Sequence, residues 1–179
     1  MRKIFFALAA LTFLFVGESC KKEDPSETDT PEKRYPSWAQ HFGNDGGFTE
    51  ILGSEMDSND DIVLYFKTRG TIDVDGELAF VPSRGGGVIA KYSSQGQVQF
   101  AKAIPRTDEG GVLADVVLDD QDNIYACGSF QGTMIIDGQS MTAIGTSDIF
   151  VVKLSSTADV LWMKQFGIED KPSTSYSIT

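Results

Sequence analysis

The chain has 179 residues, 41% of them apolar and 18 of them glycine, with a formal net charge of −11. That length suits one ordinary domain, and the glycine content suits a turn-rich globular fold rather than disorder. So acidic a surface repels phosphate backbones, which argues against nucleic acid as a partner, and two cysteines, Cys20 and Cys127, are too few for a disulfide scaffold.

Met1-Arg2-Lys3 followed by the apolar run IFFALAALTFLFV gives a basic head and a core too short to span a bilayer but suited to a secretory signal over 1–19. Gly17-Glu18-Ser19-Cys20 resembles a bacterial lipoprotein signal. The resemblance implies cleavage before Cys20, attachment of diacylglycerol to its sulfur and residence in the outer membrane. The acidic residues in Lys22-Glu23-Asp24 resemble a signal for display on the outer face. Several acyl chains, at ~0.8 kcal/mol per buried methylene, would hold the protein stably. Ordinary signal cleavage at the same bond, leaving a secreted protein with a free thiol, stays open as the other reading. Residues 20–37 are polar, with Pro25, Pro31 and Pro36, and cannot offset their own ordering entropy. They are expected to form an extended tether.

From Trp38 onward the pattern is short β runs. SWAQHF predicts a strand, and Asn44-Asp45-Gly46-Gly47 a turn. TEILGSEM and DIVLYF predict two strands joined through Asp57–Asp61. VLADVVL and NIYACGSF fill the same places later, joined through Asp119–Asn123. Nearly continuous apolar runs predict strands covered on both faces. In the connections an Asp side chain can bond the backbone two residues on, and Asn123 tolerates a left-handed backbone. TIDVDGELAF and TMIIDGQSMT each place Asp-Gly between short runs, a hairpin signal. GVIAKY and DIFVVKL predict third strands, VQFAKAI and VLWMKQF fourth strands, and no helix is expected after the signal.

Sliding the chain by 62 positions lays Asp57 on Asp119, Ile62 on Ile124, Gly70 on Gly132, Asp75-Gly76 on Asp137-Gly138 and Lys91 on Lys153. Twice that step carries Trp38, Phe42 and Gly43 onto Trp162, Phe166 and Gly167. A constant period marks a repeat architecture. Four antiparallel strands per repeat is the pattern of a propeller blade. NIYACGSF, SDIFVVKL and VLWMKQFG resemble the bacterial seven-bladed β-propeller repeat family, abbreviated SBBP. The expected fold is therefore all-β, an incomplete β-propeller of two four-stranded antiparallel blades and the start of a third. An orphan closing strand occupies 38–43, blade one about 44–104, blade two 105–167 and a truncated blade three 168–179. Since a ring needs more blades, the chain is expected to be an N-terminal fragment or a truncated product.

No catalytic set assembles. The one histidine, His41, lies in a predicted strand, and Cys127 reads as a small buried residue. Asp57, Asn59 and Asp61 alternate like the start of a calcium loop, but Ile62 stands where that loop bends at glycine and no glutamate closes it; Asp119, Asp120 and Asp122 keep different spacing. Turn capping is the expectation, with no metal and no cofactor. Asp115, the charged residue inside an apolar inner strand, is the candidate ligand contact, facing a central channel. The expected function is that of a surface lipoprotein whose propeller serves as a non-catalytic binding or scaffold module for protein or glycan. The alternative is part of a propeller enzyme, a glycosidase or lyase, with its catalytic residues in other blades. A decayed or merely predicted gene is the third possibility.

Overall fold

The computed structural model describes Ala39 and residues 48–179 apart from 106 and 108, without the side chains of 78 and 80–84. The signal at 1–19, Cys20, the tether to residue 37, His41 and, apart from Ala39, the orphan strand at 38–43 lie outside the described residues. No helix occurs among the described residues. The first copy comprises β1 (Thr49–Met56), β2 (Ile62–Val74), β3 (Glu77–Tyr92) and β4 (Val98–Ala103). The second comprises β5 (Gly111–Leu118), β6 (Ile124–Phe130), the short pair β7 (Thr133–Ile136) and β8 (Gln139–Thr142), then β9 (Asp148–Leu154) and β10 (Val160–Phe166). The two four-stranded antiparallel sheets are ordered β1-β2-β3-β4 and β10-β9-β6-β5, with β7-β8 as a separate hairpin.

The 62-residue step recurs in ladder register and in backbone conformation at the turns. The β1/β2 ladder slips between Ile51 and Gly53, and the β5/β6 ladder slips between Leu113 and Asp115. Ile62 pairs with Tyr92 as Ile124 pairs with Leu154. Left-handed φ recurs at Asp60 (61°) and Asp122 (60°), at Asp75 (52°) and Asp137 (49°), and at the glycines that follow the last two, Gly76 and Gly138. The Asp-Gly pairs thus make primed turns, whose two central residues both need positive φ. In the strand-connecting turns the left-handed residue is Asp122, not Asn123, whose backbone N–H instead caps onto Asp119.

The copies differ at the accessory hairpin. In the first, β2 and β3 run on through it as one ladder, broken only by a slip between Thr68 and Gly70. In the second, Asp148 stands where the first has Gly86. Its fully buried carboxylate accepts from Ile144 N (2.8 Å), Gly145 N (2.9 Å) and Gln165 Nε2 (2.7 Å), folding 144–148 into a loop that separates β7-β8 from the sheet.

The two sheets pack face to face. Val63, Tyr65, Ile89 and Ile104 from the first meet Leu113, Val116, Ile124, Phe130, Phe150 and Val152 from the second in one buried cluster. Fully burying an aliphatic side chain contributes roughly 1.5–3 kcal/mol, so this interface is a main source of stability. The first sheet buries a second cluster around Phe66, Val88, Ala90 and Tyr92. On β9 of the second sheet, Phe150, Val152 and Leu154 are fully buried, whereas Ile149, Val151 and Lys153 on the opposite face are half-buried. Both faces of these runs were expected to be covered; on the second sheet the cover is complete on one face only.

Candidate functional site

Three polar pins join the two copies. Tyr65 Oη donates to Asp115 Oδ1 at 2.7 Å. Ser58 donates to Asp122 through its N (2.9 Å) and its Oγ (2.6 Å). Lys102 Nζ reaches Asp137 Oδ2 at 2.6 Å and also donates to the carbonyl of Ala158. Asp115 is therefore engaged within the chain. Its carboxylate accepts from Tyr65, from Val116 N (2.9 Å) and from Ile178 N (3.1 Å). Burial raises its pKa, and these bonds outweigh burial and hold it below the usual carboxylate range. Tyr65 is pushed up to about 12, by burial first and by the Asp115 carboxylate second.

Glycine makes room for that pin. Gly53 pairs with Tyr65 across the β1/β2 ladder, and a Cβ there would lie 2.4 Å from Tyr65 Oη. In the second copy the same pair of positions holds Asp115 and Cys127, so the larger residue has moved to the inner strand and a small one stands opposite. Cys127 is buried, with Ser175 Oγ 3.0 Å from its Sγ. Burial, moderated by that hydroxyl, pushes the thiol up, away from reactive thiolate.

The acidic turns are caps. Asp57 Oδ1 accepts from the backbone N–H of Asn59 (2.8 Å) and Asp61 (2.9 Å), and Asp119 Oδ1 from those of Gln121 (3.0 Å) and Asn123 (2.9 Å). Each cap is tied to the third strand by the repeated lysine: Lys91 to Asp57 at 2.6 Å and Lys153 to Asp119 at 2.9 Å. The first pair is 7% and 1% exposed, the second 16% and 24%. Lys91 lies on the face that the second sheet covers, while Lys153 lies on the open face, over the ring of Tyr125. Among the described residues, no group of three or more His, Cys, Asp or Glu is placed to hold a metal ion.

The end of the sheets away from these caps carries two grooves. The first, about 190 Å³, runs between Phe48, Lys67, Arg69 and Gly85 on one side and Gly111 and Val112 on the other. The second, about 220 Å³, has Gly111 and Val112 as its near wall and Glu109, Ser129, Gln131 and Ser147 around it. Shifting Lys67, Arg69 and Gly85 by one repeat gives Ser129, Gln131 and Ser147, so the grooves are the same feature in successive copies. Lys67 Nζ lies 2.8 Å from Glu50 and 6.0 Å from the ring centroid of Phe48, a residue 55% exposed. Sequence reading missed these residues; the available signal was Lys67-Thr68-Arg69, two cations in an acidic chain with no charged counterpart in the second copy.

Neither a model of a known protein family nor a curated protein sequence matches the chain.

Proposed function

We propose that the two sheets are blades of a β-propeller of the SBBP type, carried on a lipid anchor at Cys20 and displayed at a bacterial surface as a non-catalytic binding or scaffold module. The observation that supports this most is the open face of the second sheet. Ile104, fully buried between the sheets, corresponds to Phe166, which is 57% exposed. Phe100 and Lys102, which meet the second sheet, correspond to Trp162 and Lys164 on that open face. The face is thus a copy of one that already receives a neighbouring sheet, and a further blade of the same kind would cover it. A ring of such blades presents loops at its ends, which suits recognition of protein or glycan.

Two measurements test the reading. Palmitate should label wild type and not Cys20→Ala; label persisting in the variant overturns the anchor. Surface glycans and envelope proteins should be captured reversibly and recovered unchanged; chemical conversion of a captured glycan overturns the non-catalytic role.

A further inference from the structure

We infer that the open face of the second sheet selects its neighbour by charge. It takes a third sheet of the same repeat, built on the tail at 173–179, that presents a carboxylate to Lys164 and a hydrogen-bond donor to Asp120; this rests on the blade reading and names what that blade must carry. The tail already follows the path of an inner strand. Ser173, Ser175 and Ile178 stand one repeat after Gly111, Leu113 and Val116 of β5. They are half-buried while Thr174, Tyr176 and Ser177 are exposed, the spacing of the inward positions of β5. Ser173 N donates to the carbonyl of Ser147 at 2.7 Å, Ser175 Oγ lies 3.0 Å from Cys127 Sγ, and Ile178 N donates to Asp115 Oδ2 at 3.1 Å. At the first junction Val116 N makes the matching approach, to Tyr65 Oη. Gly53–Tyr65 and Asp115–Cys127 are equivalent ladder pairs, so the acceptor has only passed from one member of the pair to the other. Among the described residues no ladder joins the tail to a further strand. Its edge can therefore take one through main-chain hydrogen bonds, as β5 takes β6.

The charges follow from the same step. At the existing junction the first sheet presents Lys102 to Asp137, on the Asp-Gly hairpin, at 2.6 Å, and Ser58 to Asp122 through its N and its Oγ. One repeat on, the open face presents Lys164 and Asp120. Both are exposed, and neither forms an ion pair among the described residues. Lys164 suits what Lys102 receives, a carboxylate from a hairpin tip. Asp120 keeps the backbone N–H of its counterpart Ser58 but carries a carboxylate in place of the hydroxyl. It therefore repels an Asp in the place of Asp122 and accepts from a Ser, Asn or Lys there. Between these points Trp162, braced edge to face on Tyr125 at 5.9 Å, and the exposed Phe166 offer the apolar area that the third sheet covers.

The test extends the full chain after Thr179 with a second copy of residues 118–179, which continues the repeat without a gap because Thr179 stands one step after Val117. The added module keeps Asp at the places of Asp137 and Asp122, and so brings one matched and one mismatched charge. It should resist limited proteolysis. Lys164→Met should lower the thermal midpoint of the extended chain by about 2–4 °C and that of the parent chain by about 1 °C or less. Changing the added copy of Asp137 to Asn should abolish that difference. Asp120→Ser should raise the midpoint of the extended chain and leave the parent unchanged. In the parent chain, hydrogen exchange at the Ile178 amide should be slowed by its bond to Asp115. A protected added module in which the Lys164 and added-aspartate changes act independently, or in which Asp120→Ser has no effect, overturns the charge selection and leaves the blade reading standing. An added module digested back to the tail, or an Ile178 amide exchanging at the free-chain rate in the parent, overturns the docking itself and counts against the blade reading as well.

Discussion

Replacing Tyr65 by Phe keeps the ring for which Gly53 leaves space and removes only the hydroxyl that crosses from the first sheet to Asp115 on the second, at 2.7 Å. A hydrogen bond to a charged acceptor contributes about 1.5–3 kcal/mol. Asp115 keeps its bonds from Val116 and Ile178, so the cost at neutral pH should sit near the lower end, about 1.5 kcal/mol. The pH dependence supplies a second number. Tyr65 is raised from 10.0 to about 12; at 1.36 kcal/mol per unit this corresponds to at most about 3 kcal/mol of linked stability. The pKa is raised in the fold, so the contribution is complete below the unfolded value near 10 and is lost as pH rises through the folded one. Urea unfolding of the full chain at neutral pH and through this alkaline window provides the assay. Wild type should lose stability across the window, and Tyr65→Phe should start lower and lose correspondingly less. A cycle with Asp115→Asn should give a coupling of about 1 kcal/mol or more. A Phe variant within about 0.5 kcal/mol of wild type, with the same alkaline limb, would refute the claim that this pin joins the sheets.

Gly53→Ala places a methyl against Tyr65 Oη and should cost about 1–3 kcal/mol; Tyr65→Cys, the size pairing of the second copy, should cost less in that background than in wild type, so that the two changes are less than additive in thermal denaturation. Lys91→Met leaves the Asp57 carboxylate buried without its cation and should cost about 3–5 kcal/mol, whereas Lys153→Met, on the open face, should cost distinctly less; equal midpoint shifts would contradict the assigned difference in cover. Asp148 is pushed upward by burial and pulled below the ordinary carboxylate range by Ile144 N, Gly145 N and Gln165. Its depressed pKa makes its contribution present above the unfolded value near 4 and lost as pH falls through the folded one. Asp148→Asn should therefore be less stable near neutrality and show a shallower acid limb in a pH series of unfolding curves.

Much of the fold was legible because it is encoded locally. Asp75-Gly76 and Asp137-Gly138 announce primed turns within two residues, and the caps at Asp57 and Asp119 reach only to residues two and four further on. The period then multiplied each local reading by two. What could not be read depends on stacking. Nothing beside Asp115 in the sequence names Tyr65, 50 residues away, as its donor, so an apolar-strand carboxylate looked like a channel contact. Asp148 sits in an unremarkable Thr146-Ser147-Asp148 run whose role arises only once the second hairpin detaches from its sheet. The grooves were hidden for the same reason, since each combines residues of the second and third strands of a copy with the first residues of β5.

The repeat is regular in backbone but deliberately irregular in side-chain size, and this decides which surfaces can meet. A Cβ on Gly87 would lie 2.2 Å from Leu113 Cβ, so the first sheet offers a hollow and the second a leucine that fills it. One step along the chain the same two positions are Ile149 and Ser175, a large residue and a small one. Tyr65 with Asp115 becomes Cys127 with Ser177 under the same step. The first junction is complementary in size, and the repeat step would invert it at a second junction of the same kind, where a leucine presented to Ile149 would overlap it, as a serine presented to Gly87 would leave a void. Swapping one member, Gly87→Ile, should drive the sheets apart, while Gly87→Ile with Leu113→Ser, which writes the second junction into the first, should recover cooperative unfolding. Recovery by the pair and not by either change alone would establish that size matching between sheets, rather than apolar character alone, fixes the order in which these repeats stack; failure of the pair would leave the 62-residue period as a record of sequence duplication without a rule for assembly.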